Sequence, residues 1–239
     1  MILSFTVENF RSIRERQSLI FEASSDPHLE DSHVIKRDGH KVLKSAAVYG
    51  ANASGKSNVI TAMIWMRRFV LESMSEKVEN PKIPVEPFRL RTDSREAPSV
   101  FEIEFLLADI RYRYGFALTE SGIEEEWLYR KGKKGATAKI FTREKQDIVV
   151  NKRQEQGLEP FIPRTRPNTL FLKVCAEFNF AFAEWIMEWF RHFRHVSGLD
   201  ETSFIGFTAE RLGEDVHRER IMEFIQKAEA TVKKIAAQC

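Results

Sequence analysis

Residues 50–57, Gly-Ala-Asn-Ala-Ser-Gly-Lys-Ser, fit the pattern G-x-x-x-x-G-K-[ST], whose residue types suit the holding of nucleotide phosphates. Small residues let successive backbone N–H groups curl around a β-phosphate. Lys56 has the reach for the β- and γ-oxygens, and the Ser57 hydroxyl is a ligand type for Mg²⁺. A helix starting at the loop would point its positive N-terminus at the same phosphates.

Other groups of chemical interest are thinner. Asp109 follows the apolar run "FLLA", but Ile110 stands where a second carboxylate would be needed, and the flanking alternation reads as a hairpin turn. Asp200-Glu201 is a carboxylate pair whose preceding residues His195, Ser197 and Gly198 break any apolar strand. "RHFRH" (191–195) has two histidines without a carboxylate or cysteine at ligand spacing, so a solvated helix face is the simpler reading. "RKGKKG" (130–135) reads as an exposed basic hairpin loop that would suit nucleic acid phosphates less well than solvent. Trp185 and Trp189, four apart, read as core or interface anchors.

The elements that must position the loop are a strand before it and a helix after it. "VLKSAAVY" (42–49) is a mostly apolar run of the kind a buried strand shows. From Ser57 to about Ser73 the spacing predicts a helix, apolar nearly all round and buried on more than one side. Ile2–Phe10 and residues 18–23 read as strands. Residues 24–41 are polar, with turn signals at Asp26-Pro27 and Asp38-Gly39. Beyond a proline-rich connector, 100–118 alternate as two strands around Ala108-Asp109, "GIEEEWLYRK" as another, and a further strand lies near 139–142. After "PRTRPN" (163–168) the pattern turns helical. Thr208 is a candidate cap for a last helix with Ile221, Phe224, Ile225, Ala228, Val232 and Ile235 on one face, and Glu223–Lys227 and Glu229–Lys233 pairs on its surface.

The chain has 239 residues, 43% hydrophobic and 30% charged, with a net charge of +2. That is enough to bury a sizeable core and too balanced to mark a nucleic-acid binder by charge alone. Two cysteines, Cys175 and Cys239, exclude a disulfide framework or Cys/His zinc cluster and fit a reducing cytoplasm. No run approaches the ~18 apolar residues of a membrane span, so the reading is of a soluble protein with no membrane partner.

Around the loop, Asn52 before Ala53-Ser54-Gly55 and Asn58 after Ser57 resemble the loop of the SMC/RecF branch of ABC-type ATPases, as "FTVENFRSI" resembles that branch's opening strand. "AAVYGANASGKSNVI", "PFRL", "FEIEF…YRYGFAL" and "NTLFLKVCAEFN…WF" together resemble bacterial AAA family ATPases of the RloA and abortive-infection kind, over most of the chain. The resemblance implies an α/β P-loop NTPase fold, the N-terminal part of an ABC-type head. That part would comprise a mixed sheet around the P-loop helix, an antiparallel sheet and a C-terminal helical subdomain. It places a nucleotide-binding lobe at 1–155 and the helical subdomain at 156–239. It implies ATP and Mg²⁺ as cofactors, with Gly50, Ala51, Asn52, Ala53, Ser54, Gly55, Lys56, Ser57 and Asn58 contacting phosphates and Mg²⁺, and Arg11 and Ser12 near the nucleotide. Ala53 stands where the SMC/RecF loop has Gly, and its amide is retained.

An ATPase of this class also needs a Ser-Gly-Gly-type signature loop and an apolar strand ending in Asp-Glu, where Asp supports Mg²⁺ and Glu polarises water. Neither is present, so no catalytic residue is assigned within this chain. The expectation is a head cut before those elements, or a shortened relative, that binds ATP with little turnover. By analogy, two heads sandwich ATP to regulate a nuclease or toxin effector in defence, as a homo-oligomer. The rivals are a RecF-like ATPase that clamps DNA and a non-hydrolysing module in which nucleotide stabilises an assembly surface.

Overall fold

A computed structural model describes residues 1–228 except positions 27, 38, 75–81, 134 and 197–201, with the backbone alone for 202–207 and 228. The chain divides into two compact units, Met1–Phe193 and Arg194–Cys239.

The first unit begins with β1 (Ile2–Glu8) and β2 (Gln17–Ile20), followed by a single helical turn, α1 (Glu30–His33), and a small hairpin, β3 (Val34–Arg37) with β4 (His40–Leu43). Helix α2 (Lys56–Glu72) carries the phosphate-loop pattern at its start, and the short α3 (Thr92–Glu96) precedes the main meander. That meander is β5 (Ser99–Leu107), β6 (Ile110–Thr119), β7 (Gly122–Lys131), β8 (Ala138–Glu144) and β9 (Asp147–Val150). A 3-10 turn at Glu159–Arg164 leads into α4 (Phe171–Glu177) and α5 (Ala181–His192). The second unit contains α6 (Thr202–Gly213) and α7 (Asp215–Ala228), which pack on each other.

Seven strands form one sheet in the order β2-β1-β5-β6-β7-β8-β9, every pair antiparallel. Alternation explains it. On β5, Phe101, Ile103 and Phe105 are buried, opposite Phe116, Tyr114 and Tyr112 of β6, while Glu102 and Glu104 face outward. Ala108 and Asp109, both with positive φ (46° and 65°), make the tight turn between these strands. Helices α2, α4 and α5 close the apolar face, so the core is one sheet layer under one helix layer. On the open face the Trp127 ring lies over Gly115 of the neighbouring strand, and its indole N–H donates to Glu102 at 2.8 Å. A Cβ on Gly115 would meet that ring at 2.5 Å, so glycine is required there.

Several sequence expectations change. Residues 44–50 form no strand: Val48 is 44% and Tyr49 90% exposed, and no described strand lies beside them. A strand exists only through its hydrogen-bonded neighbours, and apolar composition alone does not supply one. Correspondingly, the described sheet is antiparallel throughout rather than mixed. Helix α2 buries one face, Ala62, Met63, Met66 and Val70, and leaves Ile60 exposed, so it is not enclosed on several sides. Thr208 lies inside α6, and the last helix instead starts at Asp215 after a break at Gly213-Glu214. The Glu223–Lys227 pair forms at 2.7 Å, whereas Val232, Ile235 and the Glu229–Lys233 pair lie outside the described residues. The 155/156 position falls within the first unit, because α4 and α5 share the sheet's core.

One polar cluster is sealed inside that core. Glu126 on β7 and Arg143 on β8 both have fully buried side chains, 3.6 Å apart. Glu126 accepts the backbone N–H of Phe171 at 2.7 Å and of Leu172 at 3.0 Å, the first amides of α4, together with the Tyr114 hydroxyl at 3.0 Å. Arg143 donates to the carbonyls of Thr169 at 2.7 Å, Arg166 at 3.1 Å and Lys145 at 2.5 Å. The carboxylate thus caps a helix while the guanidinium gathers the loop before it. Burial pushes the Glu126 carboxyl above its usual range and Tyr114 well above its own; burial also raises the Cys175 thiol, leaving it inert. Removing one partner leaves the other charge buried without compensation. Glu126→Ala should therefore cost about 3–5 kcal/mol in denaturant unfolding, and Glu126→Leu combined with Arg143→Met less than the two single changes summed. A loss below about 1 kcal/mol for Glu126→Ala would contradict this assignment.

Candidate nucleotide-binding site

The loop follows Tyr49 and enters α2 through two left-handed residues, Ala53 (φ 63°) and Gly55 (φ 93°). This winding turns amides inward. Among the described residues, the N–H groups of Asn52, Ala53, Gly55, Lys56 and Ser57 donate to no protein acceptor, while those of Ser54 and Asn58 close local turns onto Ala51 and Gly55. Five open donors at a helix N-terminus make a concave anion cradle.

Lys56 folds back across the loop and donates to the carbonyls of Gly50 at 2.8 Å and Ala51 at 2.6 Å. Its ammonium therefore sits over the same concavity. Ser57 is exposed on the first turn of α2, with its hydroxyl free to join a Mg²⁺ shell completed by phosphate oxygens and water. A groove of about 550 Å³ opens along the loop, bounded by Gly55, Lys56, Ser12 and Tyr49. The donor set, the cation and the helix end fit a polyphosphate with its magnesium.

The N-terminal motif reaches this groove through one residue. The Ser12 hydroxyl accepts from the Asn58 side chain at 2.6 Å and would lie 3.1 Å from a Cβ placed on Gly55. Arg11 turns elsewhere: its guanidinium pairs with Glu86 at 2.7 Å and lies over the Phe10 ring. The structure thus brings together residues 50–58 and Ser12, and directs the Arg11 side chain to a neighbouring cavity.

Sequence reasoning missed what holds Ser12 there. Asn9, itself left-handed (φ 51°), donates through its side chain to the carbonyls of Ser94 and Ala97, both at 2.8 Å, and accepts the Phe88 N–H at 3.0 Å. Ser99 donates to the Asn9 carbonyl. An asparagine in "ENFRS" is well suited to this backbone conformation and can satisfy three buried groups at once. Arg14 and the unforeseen Glu15 and Gln17 line the groove beyond Ser12.

The remaining candidates lie apart. Asp109 sits at the β5–β6 turn in ion pairs with Arg37 at 3.3 Å and Lys133 at 3.2 Å, far in topology from the loop. Asp200 and Glu201 lie outside the described residues. His192 meets Glu188 on an exposed helix face, and no group of three metal-ligating side chains occurs among the described residues. Trp189 stacks on Phe105 at 4.1 Å and is a core anchor, whereas Trp185 is 58% exposed. Among the described residues, no helix is long and apolar enough to cross a membrane.

A glycine-rich cradle, a crossing lysine and a helix N-terminus define the chain as a P-loop nucleotide-binding protein of mixed α and β structure. Residues 45–237 match the family model described as "AAA domain, putative AbiEii toxin, Type IV TA system". The match spans most of the chain, which belongs to this family of AAA/ABC-like P-loop ATPases. No curated protein matches it.

The two left-handed positions separate conformation from contact. An alanine at Gly55 would carry the left-handed penalty of about 1–2 kcal/mol and crowd Ser12. Less the ~0.4–1 kcal/mol that alanine regains by restricting the unfolded chain, and with the crowding of Ser12 added, we expect Gly55→Ala to lower stability by about 1 kcal/mol and to weaken ATP binding. At Ala53 the same penalty is already present, and glycine would remove it while adding about 0.4–1 kcal/mol of unfolded-state entropy. Ala53→Gly should leave stability unchanged or raise it by up to about 1.5 kcal/mol. Equal stability of Gly55→Ala and the parent chain in urea would contradict the loop geometry.

Proposed function

We propose that this chain is the nucleotide-binding part of an ABC-type ATPase head of the SMC/RecF-like branch, loaded with ATP and Mg²⁺ on residues 50–58. The carrying observation is the set of open loop amides under the Lys56 ammonium. On binding, Lys56 exchanges its two carbonyl partners for β- and γ-phosphate oxygens. The amides of Asn52, Ala53, Gly55, Lys56 and Ser57 take the remaining oxygens, and Ser12 and Asn58 fix the wall of the groove. Ser57 would be the protein ligand to Mg²⁺, which would supply charge neutralisation at the phosphates.

In this reading no described residue is assigned to hydrolysis. The family description supports a link to toxin–antitoxin or abortive-infection systems. In such a role the nucleotide state would govern a nuclease or toxin effector, through head-to-head assembly in a cytoplasmic homo-oligomer. The RecF-like alternative needs cations available to DNA. On the open sheet face Arg111 pairs with Glu104 and Glu22, and Arg113 with Glu102, which favours the effector reading.

The test is thermal. ATP with Mg²⁺ should raise the melting temperature of the parent chain, and Lys56→Ala should lose most of that rise without lowering its own nucleotide-free melting temperature. ATP turnover should be negligible in both proteins, and sedimentation should give the same oligomeric state with and without ATP. Equal thermal shifts in the two proteins would overturn the assignment, and robust turnover would show a complete catalytic site within this chain.

A further inference from the structure

A second cavity, of about 300 Å³, lies against the far half of α2. Trp65, Arg68, Phe69 and Glu72 line it from one face of the helix, at the i, i+3, i+4, i+7 spacing that aligns side chains. Phe69 lies ~20 Å along the helix from Lys56 at 1.5 Å per residue, so this is not the phosphate groove.

Its wall is prebuilt. Trp65 is sandwiched between Phe101 (4.7 Å, 22°) and Phe69 (5.1 Å, 13°), and its indole N–H donates to the Pro84 carbonyl at 3.2 Å. The stack ends at half-buried Phe69, whose ring borders the cavity. A planar ring can extend such a stack with little loss of side-chain freedom, because the rings are already fixed.

Its rim selects charge. Arg11, Arg68 and Lys82 reach it, against two carboxylates, Glu72 and Glu86. Arg11 pairs with Glu86 at 2.7 Å and Arg68 with Glu72 at 2.9 Å, in solvent-exposed bridges that are worth little and re-pair readily. Lys82 bridges Glu120 at 3.5 Å, an equally exposed pair whose carboxylate lies outside the cavity lining, so within the lining itself cations outnumber carboxylates and favour an anionic ligand.

Its position links it to the phosphate loop. The Arg11 N–H donates to the Glu86 carbonyl at 2.7 Å, and the next residue, Ser12, bonds Asn58 beside Gly55. A ligand that draws the Arg11 guanidinium from Glu86 acts on the backbone that sets Ser12.

We propose that this cavity is a second ligand site, taking a planar aromatic monoanion stacked on Phe69 and paired with Arg11 and Arg68, and that its occupancy changes nucleotide affinity through Ser12. The linkage rests on the nucleotide reading above; the site itself does not.

The probe is 2-naphthoate, added to ¹⁵N-labelled protein with Trp65 assigned by Trp65→Phe. We expect the Trp65 indole N–H resonance to shift on titration, with those of Trp127, Trp185 and Trp189 unmoved. Phe69→Leu and Arg68→Ala should each weaken naphthoate by about tenfold, the loss expected for one stacking or charge-assisted contact. Lys56→Ala should bind naphthoate as the parent chain does, so a failed nucleotide site and a failed cavity site give different results. In the parent chain, saturating naphthoate should change the ATP dissociation constant at least fivefold, and ATP should change the naphthoate constant by the same factor. No Trp65 shift, or naphthoate binding that ignores both cavity substitutions, would overturn the site. Unchanged ATP affinity would overturn the linkage.

Discussion

The first unit depends on the buried pair of Glu126 and Arg143. Taking two charges out of water costs several kcal/mol per ion, which only dense hydrogen bonding offsets. Here the carboxylate accepts from the leading amides of α4 and the Tyr114 hydroxyl, while the guanidinium donates to the carbonyls of the approach to α4. The two strands therefore dictate where α4 begins. Helix α5 packs on α4, and α2 packs on both. The placement of the phosphate loop's helix on the sheet thus traces back to two charged residues far from the loop in sequence.

A second constraint acts from the opposite end of the sheet. Asn9 ends β1 in a left-handed turn and ties down the segment around residues 88–97. The turn that follows presents Ser12 to Asn58 and Arg11 to Glu86. The "ENFRS" stretch thus works by splitting tasks: one residue anchors, one faces the phosphate groove, and one faces the cavity on α2. Motif proximity in sequence does not mean shared contact with the same ligand.

What was legible follows from local physics. Strands β5, β6 and β7 appear in the sequence because alternation and the Ala108-Asp109 turn act over neighbouring residues. The loop and α2 appear because the pattern of small residues and lysine has few other uses. β9 was missed, since "DIVV" is too short to show a period. The strand expected at 42–49 stops at Leu43 for a different reason, because strand formation needs a neighbour that composition cannot report. The Glu126 cluster was illegible for a third: "EEE" reads as solvent-facing. Ile123 and Leu128, five apart, both point inward only because the β6–β7 register shifts between Ala117 and Leu118. Glu126 goes inward with Leu128.

The central claim is that the open amides of the phosphate loop hold a nucleotide. The most direct measurement is the ¹⁵N amide spectrum of the chain as ATP and Mg²⁺ are added. The account predicts large shifts at Asn52, Ala53, Gly55, Lys56 and Ser57 as their N–H groups gain phosphate acceptors, smaller ones at Ser12 and Asn58, and none on the outer strands β8 and β9. Saturable ATP binding with those loop amides unmoved would contradict it.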